Sequence, residues 1–159
     1  MCSLWLCLAF AGLFFGVFMP SFGVVSSDSL ATCHPDLQKI FNRVITFVDC
    51  SIFCGHRCEV DQNKAFNAKL SEKVWPDSKH NKVPSMAVDA GPYFVELKNT
   101  DWDDDKAFSK FAGIVHIVAT QMYMAGEITH HVRWGGDWDG DGRTNDQHFN
   151  DLPHFELIA

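Results

Sequence analysis

Asp151 stands three residues ahead of His154 in the tail Asp151-Leu152-Pro153-His154-Phe155-Glu156-Leu157, and an earlier segment carries Ser78-Lys79-His80 followed by Asp89. Two imidazoles and one carboxylate can hold a zinc ion and leave a fourth position for water. Asp151 would then be free to take a proton from that water. This is the minimal machinery of a metal-assisted hydrolysis. Spacing alone does not assemble it: by spacing, His80, Asp89, Asp151 and His154 are better described as separate polar surface residues.

A second motif carries cation chemistry. Asp137-Trp138-Asp139-Gly140-Asp141-Gly142 has the Asp-x-Asp-x-Asp-Gly opening of a calcium loop. Asn145 takes the ninth position, but His148 replaces the bidentate glutamate at the twelfth. A degenerate calcium site on Asp137, Asp139 and Asp141 and a solvated acidic loop are equal alternatives. The cysteines Cys50, Cys54 and Cys58 are spaced by three residues, unlike a Cys-x2-Cys zinc knuckle. Together with Cys33 they are expected to be buried or partly buried thiols, with one or two disulfides open to them in an oxidising compartment.

The elements that must position these residues follow from periodicity. Leu37, Ile40, Phe41, Val44, Ile45 and Val48 predict an amphipathic helix from Pro35 to Val48, with proline in its first turn. Cys50 to Cys54 predicts a buried strand ending at Gly55, and Val60 to Leu70 a second helix. Trp75 to Ser85 is expected to be loop, and Ala87 to Phe94 extended. Asp103 to Ala125 predicts the longest helix, with acids at its start and Gly126 at its end. His116 lies beside its apolar stripe and is expected to be an interior or boundary histidine. His130 to Trp134 and His154 to Ile158 predict strands, separated by a polar loop. On the last strand, alternation sends His154 and Glu156 to one face and Phe155 and Leu157 to the other. Val88 and Asp89 likewise face opposite sides. The class is α+β, an antiparallel sheet covered by helices.

The chain has 159 residues, 47% hydrophobic, with a net charge of -7. That length suits one domain with a real core, and that charge argues against nucleic-acid binding, which needs basic patches. No charged side chain precedes Asp28. Residues 1–27 are therefore expected to be an apolar leader, as a signal-anchor or a signal peptide, ahead of a body at 28–159. A helix from Leu4 to Val25 would be roughly 33 Å long, enough to cross a bilayer. Residues 1–25 would then contact membrane. The leader lacks a basic n-region and a clean cleavage site.

The ordered motifs resemble the zinc peptidases that include D-alanyl-D-alanine carboxypeptidases and L-alanyl-D-glutamate endopeptidases, with bacteriophage endolysins of this type the nearest. The similarity rests on the His80, Asp89 and Asp151–Leu157 segments. It extends through Cys54-Gly55-His56-Arg57, Gln62-Asn63-Lys64-Ala65-Phe66 and Trp134-Gly135-Gly136-Asp137-Trp138. It covers Ser29 to the C-terminus. The resemblance implies a hedgehog/D-Ala-D-Ala-peptidase-like fold, His80, Asp89 and His154 as zinc ligands, and Asp151 as the base. It also implies that Arg57 engages substrate and the developing oxyanion. Two departures stand out: many relatives carry glutamate in place of Asp151, and many have six residues where eight separate His80 from Asp89. The implied partner is a peptidoglycan stem peptide. The implied activity is L-alanyl-D-glutamate endopeptidase, with D-alanyl-D-alanine carboxypeptidase as the alternative. From another class, a non-catalytic calcium- or wall-binding module could use the same fold. The expected location is exported or membrane-anchored facing the wall, or phage-encoded and cytoplasmic until lysis.

Overall fold

A computed structural model describes residues 20–159. The first described element, α1 (Val24–Ala31), follows non-helical residues Pro20 to Gly23. The expected continuous helix from Leu4 to Val25 is therefore interrupted, at a proline that cannot donate a backbone hydrogen bond. Most of the 1–27 leader lies outside the described residues. The expected boundary between residues 27 and 28 falls inside α1, and Ile52 N donates to Ser26 Oγ at 3.0 Å. Among the described residues, no helix is long and apolar enough to cross a membrane.

Helix α2 (Pro35–Val44) starts where Pro35 predicts, with His34 Nδ1 accepting from Asp36 N. It stops four residues short of Val48. The β-branched run Val44-Ile45-Thr46 loses side-chain freedom in a helix, and the chain must turn here into β1 (Cys50–Cys54). Helix α3 (Glu59–Asn67) follows. The expected loop from Trp75 to Ser85 contains one 3₁₀ turn, Lys79–Asn81, closed by a reciprocal capping box between Ser78 and Asn81. Strand β2 (Ala87–Pro92) leads to α4 (Asp105–Met124), whose first turn is capped by the Asp104 carboxylate accepting from Ala107 N. Gly126, at φ 70°, supplies the left-handed residue that ends α4. Strands β3 (His131–Trp134) and β4 (His154–Ile158) complete the fold.

The sheet is antiparallel with order β1-β2-β4-β3, so the last strand in sequence sits in the middle. The architecture is the expected α+β. Register matters more than order here. Asp89 pairs with His154 across β2 and β4, and with Cys54 across β2 and β1. Glu156 pairs with Arg133 across β4 and β3. Paired residues share a face, so one face of the sheet gathers the polar side chains.

The other face is the core. Phe155 is fully buried, with its ring centroid 5.7 Å from Phe41 of α2 and 5.8 Å from Phe111 of α4. Val88 and Leu157 are fully buried beside it. The alternation along β4 thus locks helices α2 and α4 to the sheet and turns His154 the opposite way. Replacing Phe155 with alanine removes the ring shared by both helices and leaves a cavity. Urea denaturation of F155A should show a loss of about 3–5 kcal/mol.

Candidate metal centre and catalytic cleft

Loops after α3 and after β3 wall the polar face into a cleft of about 500 Å³. His80, Asp151, His154 and Arg57 all line it. His80 enters from the 3₁₀ turn and is nearly fully buried. Its Nδ1 lies 2.7 Å from the Gly55 carbonyl oxygen, which can only accept. The ring is therefore protonated at Nδ1 there, and Nε2 faces the cleft. Gly55 has no room for a side chain: a Cβ would lie 2.2 Å from Thr32 Oγ1 and 2.3 Å from the Ser29 carbonyl. That close approach brings the Gly55 carbonyl within reach of His80.

Three expected ligands converge. His80 Nε2 and Asp89 Oδ1 are 3.0 Å apart, His154 Nδ1 and Asp89 Oδ1 are 3.2 Å apart, and the two imidazole nitrogens are 3.2 Å apart. Tetrahedral zinc bonded to nitrogen and oxygen at about 2.0–2.1 Å needs donors about 3.3 Å apart. The triangle of donors fits such an ion in both size and chemistry. Cys54 Sγ also comes within 4.8 Å of donor atoms of His80 and Asp89, as the β1–β2 register requires. A β-bulge at Ile52/Cys54 sets Cys54 opposite Asp89. Cys33, Cys50, Cys54 and Cys58 are all free thiols, and Cys33 and Cys50 are buried, with burial pushing both up to about 12.

The electrostatics separate the carboxylates. Burial opposes ionisation of Asp89, but His80 and His154 more than offset it and hold the group well below the usual range. Burial likewise opposes charging His80, yet Asp89 raises that imidazole to about 10. Asp89 Oδ2 accepts from Arg57 NH2 at 2.8 Å, so the carboxylate bridges the imidazole pair and the guanidinium. Arg57 NH1 reaches Gln62 Oε1 at 3.4 Å, and buried Gln62 ties down the loop at Ser71 and Lys73. Asp151 is different. Burial, then the charge of Asp89, pushes its pKa up to about 6 against the pull of His154, His80 and Arg57. Its backbone is fixed by Gly135: Asp151 N donates to Gly135 O at 2.9 Å, and Gly135 N donates to His154 O at 2.8 Å. A Cβ on Gly135 would meet the Asp151 carbonyl at 2.3 Å.

Sequence reasoning gave no role to Glu156 or Arg133 in the cleft; Trp138, expected at the cleft from its place on the acidic loop, does line it. Glu156 is buried, faces His154 Nε2 at 3.4 Å and is bound by Arg133. Burial raises its pKa, but hydrogen bonds from His154 and Arg133 take it down to about 2. The alternation that places Glu156 beside His154 was the available signal. Trp138 stacks 5.4 Å from His154 and 5.5 Å from Arg133 Cζ.

Two other clusters lie apart from the donor triangle. Asp137, Asp139 and Asp141 bring one carboxylate oxygen each within 4.8 Å of one another. Asp137 accepts from Gly140 N and Gly142 N, both at 2.9 Å. His34, Asp36 and His130 also gather within 4.8 Å. There, the His34 Nδ1 lone pair is spent on Asp36 N, and one Asp36 oxygen accepts from Thr129 N, Thr129 Oγ1 and His130 Nδ1. That is a hydrogen-bonded joint between α2 and the entry to β3. His116 is half-buried on α4, and burial lowers its pKa.

The phage L-alanyl-D-glutamate peptidase model matches residues 18–158. A relative named L-alanyl-D-glutamate peptidase, from Escherichia phage T5, is 30% identical over 129 residues, covering 79% of this chain and 87% of its own. The crystal structure of the L-Ala D-Glu endopeptidase ChiX of Serratia marcescens superposes with a TM-score of 0.65. It is 23% identical, covering 91% of this chain and 94% of its own, a likeness of fold. With the match running through every cleft segment from Arg57 to His154, the chain belongs to the phage L-alanyl-D-glutamate peptidase family.

Proposed function

We propose that this protein is a zinc endopeptidase that hydrolyses the bond between L-alanine and D-glutamate in peptidoglycan stem peptides. The observation that carries the proposal is the triangle of His80 Nε2, Asp89 Oδ1 and His154 Nδ1 in the same cleft as Asp151 and Arg57. Zinc held by those three donors would polarise the peptide carbonyl and acidify a water. Asp151 takes the proton from the attacking water and delivers it to the departing glutamate nitrogen. The water oxygen bonds to the alanine carbonyl carbon as the C–N bond breaks. Arg57, anchored to Asp89, supplies fixed positive charge where the oxyanion develops. The family name supports the endopeptidase over the carboxypeptidase alternative and over a non-catalytic module. The body from α1 onward carries this chemistry, and the apolar leader ahead of it serves delivery to the wall.

The acidic loop belongs to the same proposal. Calcium on Asp137, Asp139 and Asp141 would order the segment that holds Trp138 against His154. Glycines at φ 74° and 85° already wrap the loop around the Asp137 carboxylate.

Three outcomes test these assignments. With zinc retained, Asp151→Ala should lose turnover on peptidoglycan by roughly 10²–10⁴-fold. Mass spectrometry of wild-type digests should find new L-alanine carboxyl and D-glutamate amino termini. No cleavage by zinc-loaded wild type would refute the enzyme. The second is a pH profile. A carboxyl raised by burial is protonated first as pH falls, so kcat/KM should drop on the acid side at or below about 6, since the zinc charge draws Asp151 down from its value in the free protein. A flat acid limb contradicts the base assignment. Third, calcium at about 100 times its Kd should raise Tm by roughly 5–10 °C in wild type. The rise should vanish in D139A/D141A; equal melting with and without calcium in wild type rules the loop site out.

A further inference from the structure

The two imidazoles of the donor triangle are held by different means. His80 gives its Nδ1 proton to a backbone carbonyl, Gly55 O. For His154 to present a bare Nδ1 to a metal, its proton must reside on Nε2, and that atom faces Glu156 Oε2 at 3.4 Å. Glu156 is a carboxylate only 5% exposed. Burying it costs free energy unless it is paired. Arg133 provides the pairing through both Nε, at 3.0 Å, and NH2, and both bonds go to Oε1. Oε2 is left for His154. The guanidinium is held in turn by the Trp138 ring at 5.5 Å and by the Trp138 carbonyl at 3.5 Å.

We infer that Glu156, clamped by Arg133, is a positioning residue that sets the tautomer and orientation of His154 and so presents Nδ1 to the metal. The inference rests on the zinc reading above. It gives the two-residue alternation of β4 a second use: His154 and Glu156 share a face, so ligand and orienting carboxylate come from one strand. Histidine ligands commonly donate their other ring proton to a carboxylate or carbonyl, and loss of that partner typically weakens metal binding about 10–100-fold.

Glutamine at this position has a single acceptor oxygen for two donors. Its amide hydrogens would point at either Arg133 or His154. Zinc affinity, read by chelator competition with folding checked by circular dichroism, should therefore fall about 10–100-fold in Glu156→Gln. Arg133→Met keeps the carboxylate but frees it to move, and should give a smaller loss. Nitrogen-15 NMR of zinc-loaded wild type should place zinc on His154 Nδ1 and a slowly exchanging proton on Nε2. Glu156→Gln should speed that exchange. Folded variants that bind zinc as wild type does would overturn the inference while leaving the zinc site intact. Zinc on His154 Nε2 would overturn it too. A wild type that takes up no zinc would overturn the site reading and this inference with it. If Glu156→Gln does not fold, Arg133→Met and the wild-type spectrum decide the question.

Discussion

The Asp89 carboxylate is the constraint on which the site depends. It is largely buried in the sheet, where an unpaired charge would be strongly destabilising. Three neighbours prevent that: His80 and His154 at one oxygen and Arg57 at the other. Each comes from a different part of the chain, a 3₁₀ turn, the central strand and the loop after β1. Asp89 therefore organises three segments that are far apart in sequence. The same arrangement makes the cluster receptive to a cation. A depressed carboxylate beside two raised imidazoles is a site where protons occupy the donors a metal would use.

Rigidity behind this cluster comes from the opposite face of the sheet. Phe155 and Leu157 are anchored among Phe41 and Phe111, which leaves β4 little freedom to rotate or slip. A one-residue slip would exchange His154 for Phe155 in the cleft. The helices thus do no chemistry, but they fix the register that aligns Asp89 with His154. The loop ends are fixed by backbone proximity instead. Gly55 and Gly135 each let main chains approach more closely than any side chain permits, one against Ser29 of α1 and one against Asp151, and the Gly55 carbonyl holds His80.

Much of this was legible in the sequence where a pattern is local. β1 and β4 have the expected ends because one is a short apolar run stopped by Gly55 and the other alternates strictly from His154. Gly126 marks the end of α4 through capping chemistry that can be read directly, whereas the run of acids at its start hides which one caps: the helix begins at Asp105 after the Asp104 cap, not at Asp103. α1 was not legible, since Val24 and Val25 continue an apolar run and are themselves exposed. The approach of Cys54 to His80 and Asp89 was also hidden. It follows from a bulge that shifts Cys54 from opposite Val88 to opposite Asp89, and bulges leave little trace in a single sequence. The convergence of His80 with His154 needed the family resemblance, because no spacing rule links residues on a loop and a strand so far apart in the chain.

The three carboxylates around the two imidazoles, Asp89, Glu156 and Asp151, differ by their partners. Asp89 has Arg57, and Glu156 has Arg133. Both are held ionised, so both remain acceptors. Asp151 has no such guanidinium pairing among the described residues, and burial next to Asp89 raises it instead. A group that must take up and release a proton needs an affinity closer to neutrality than a ligand does. Placing two arginines on two of three carboxylates produces that separation without any special property of the third. The division of labour follows from which side chain is left unpaired. Under the proposed assignment of Asp151 as the base, its proton affinity is set by the burial and charge around it.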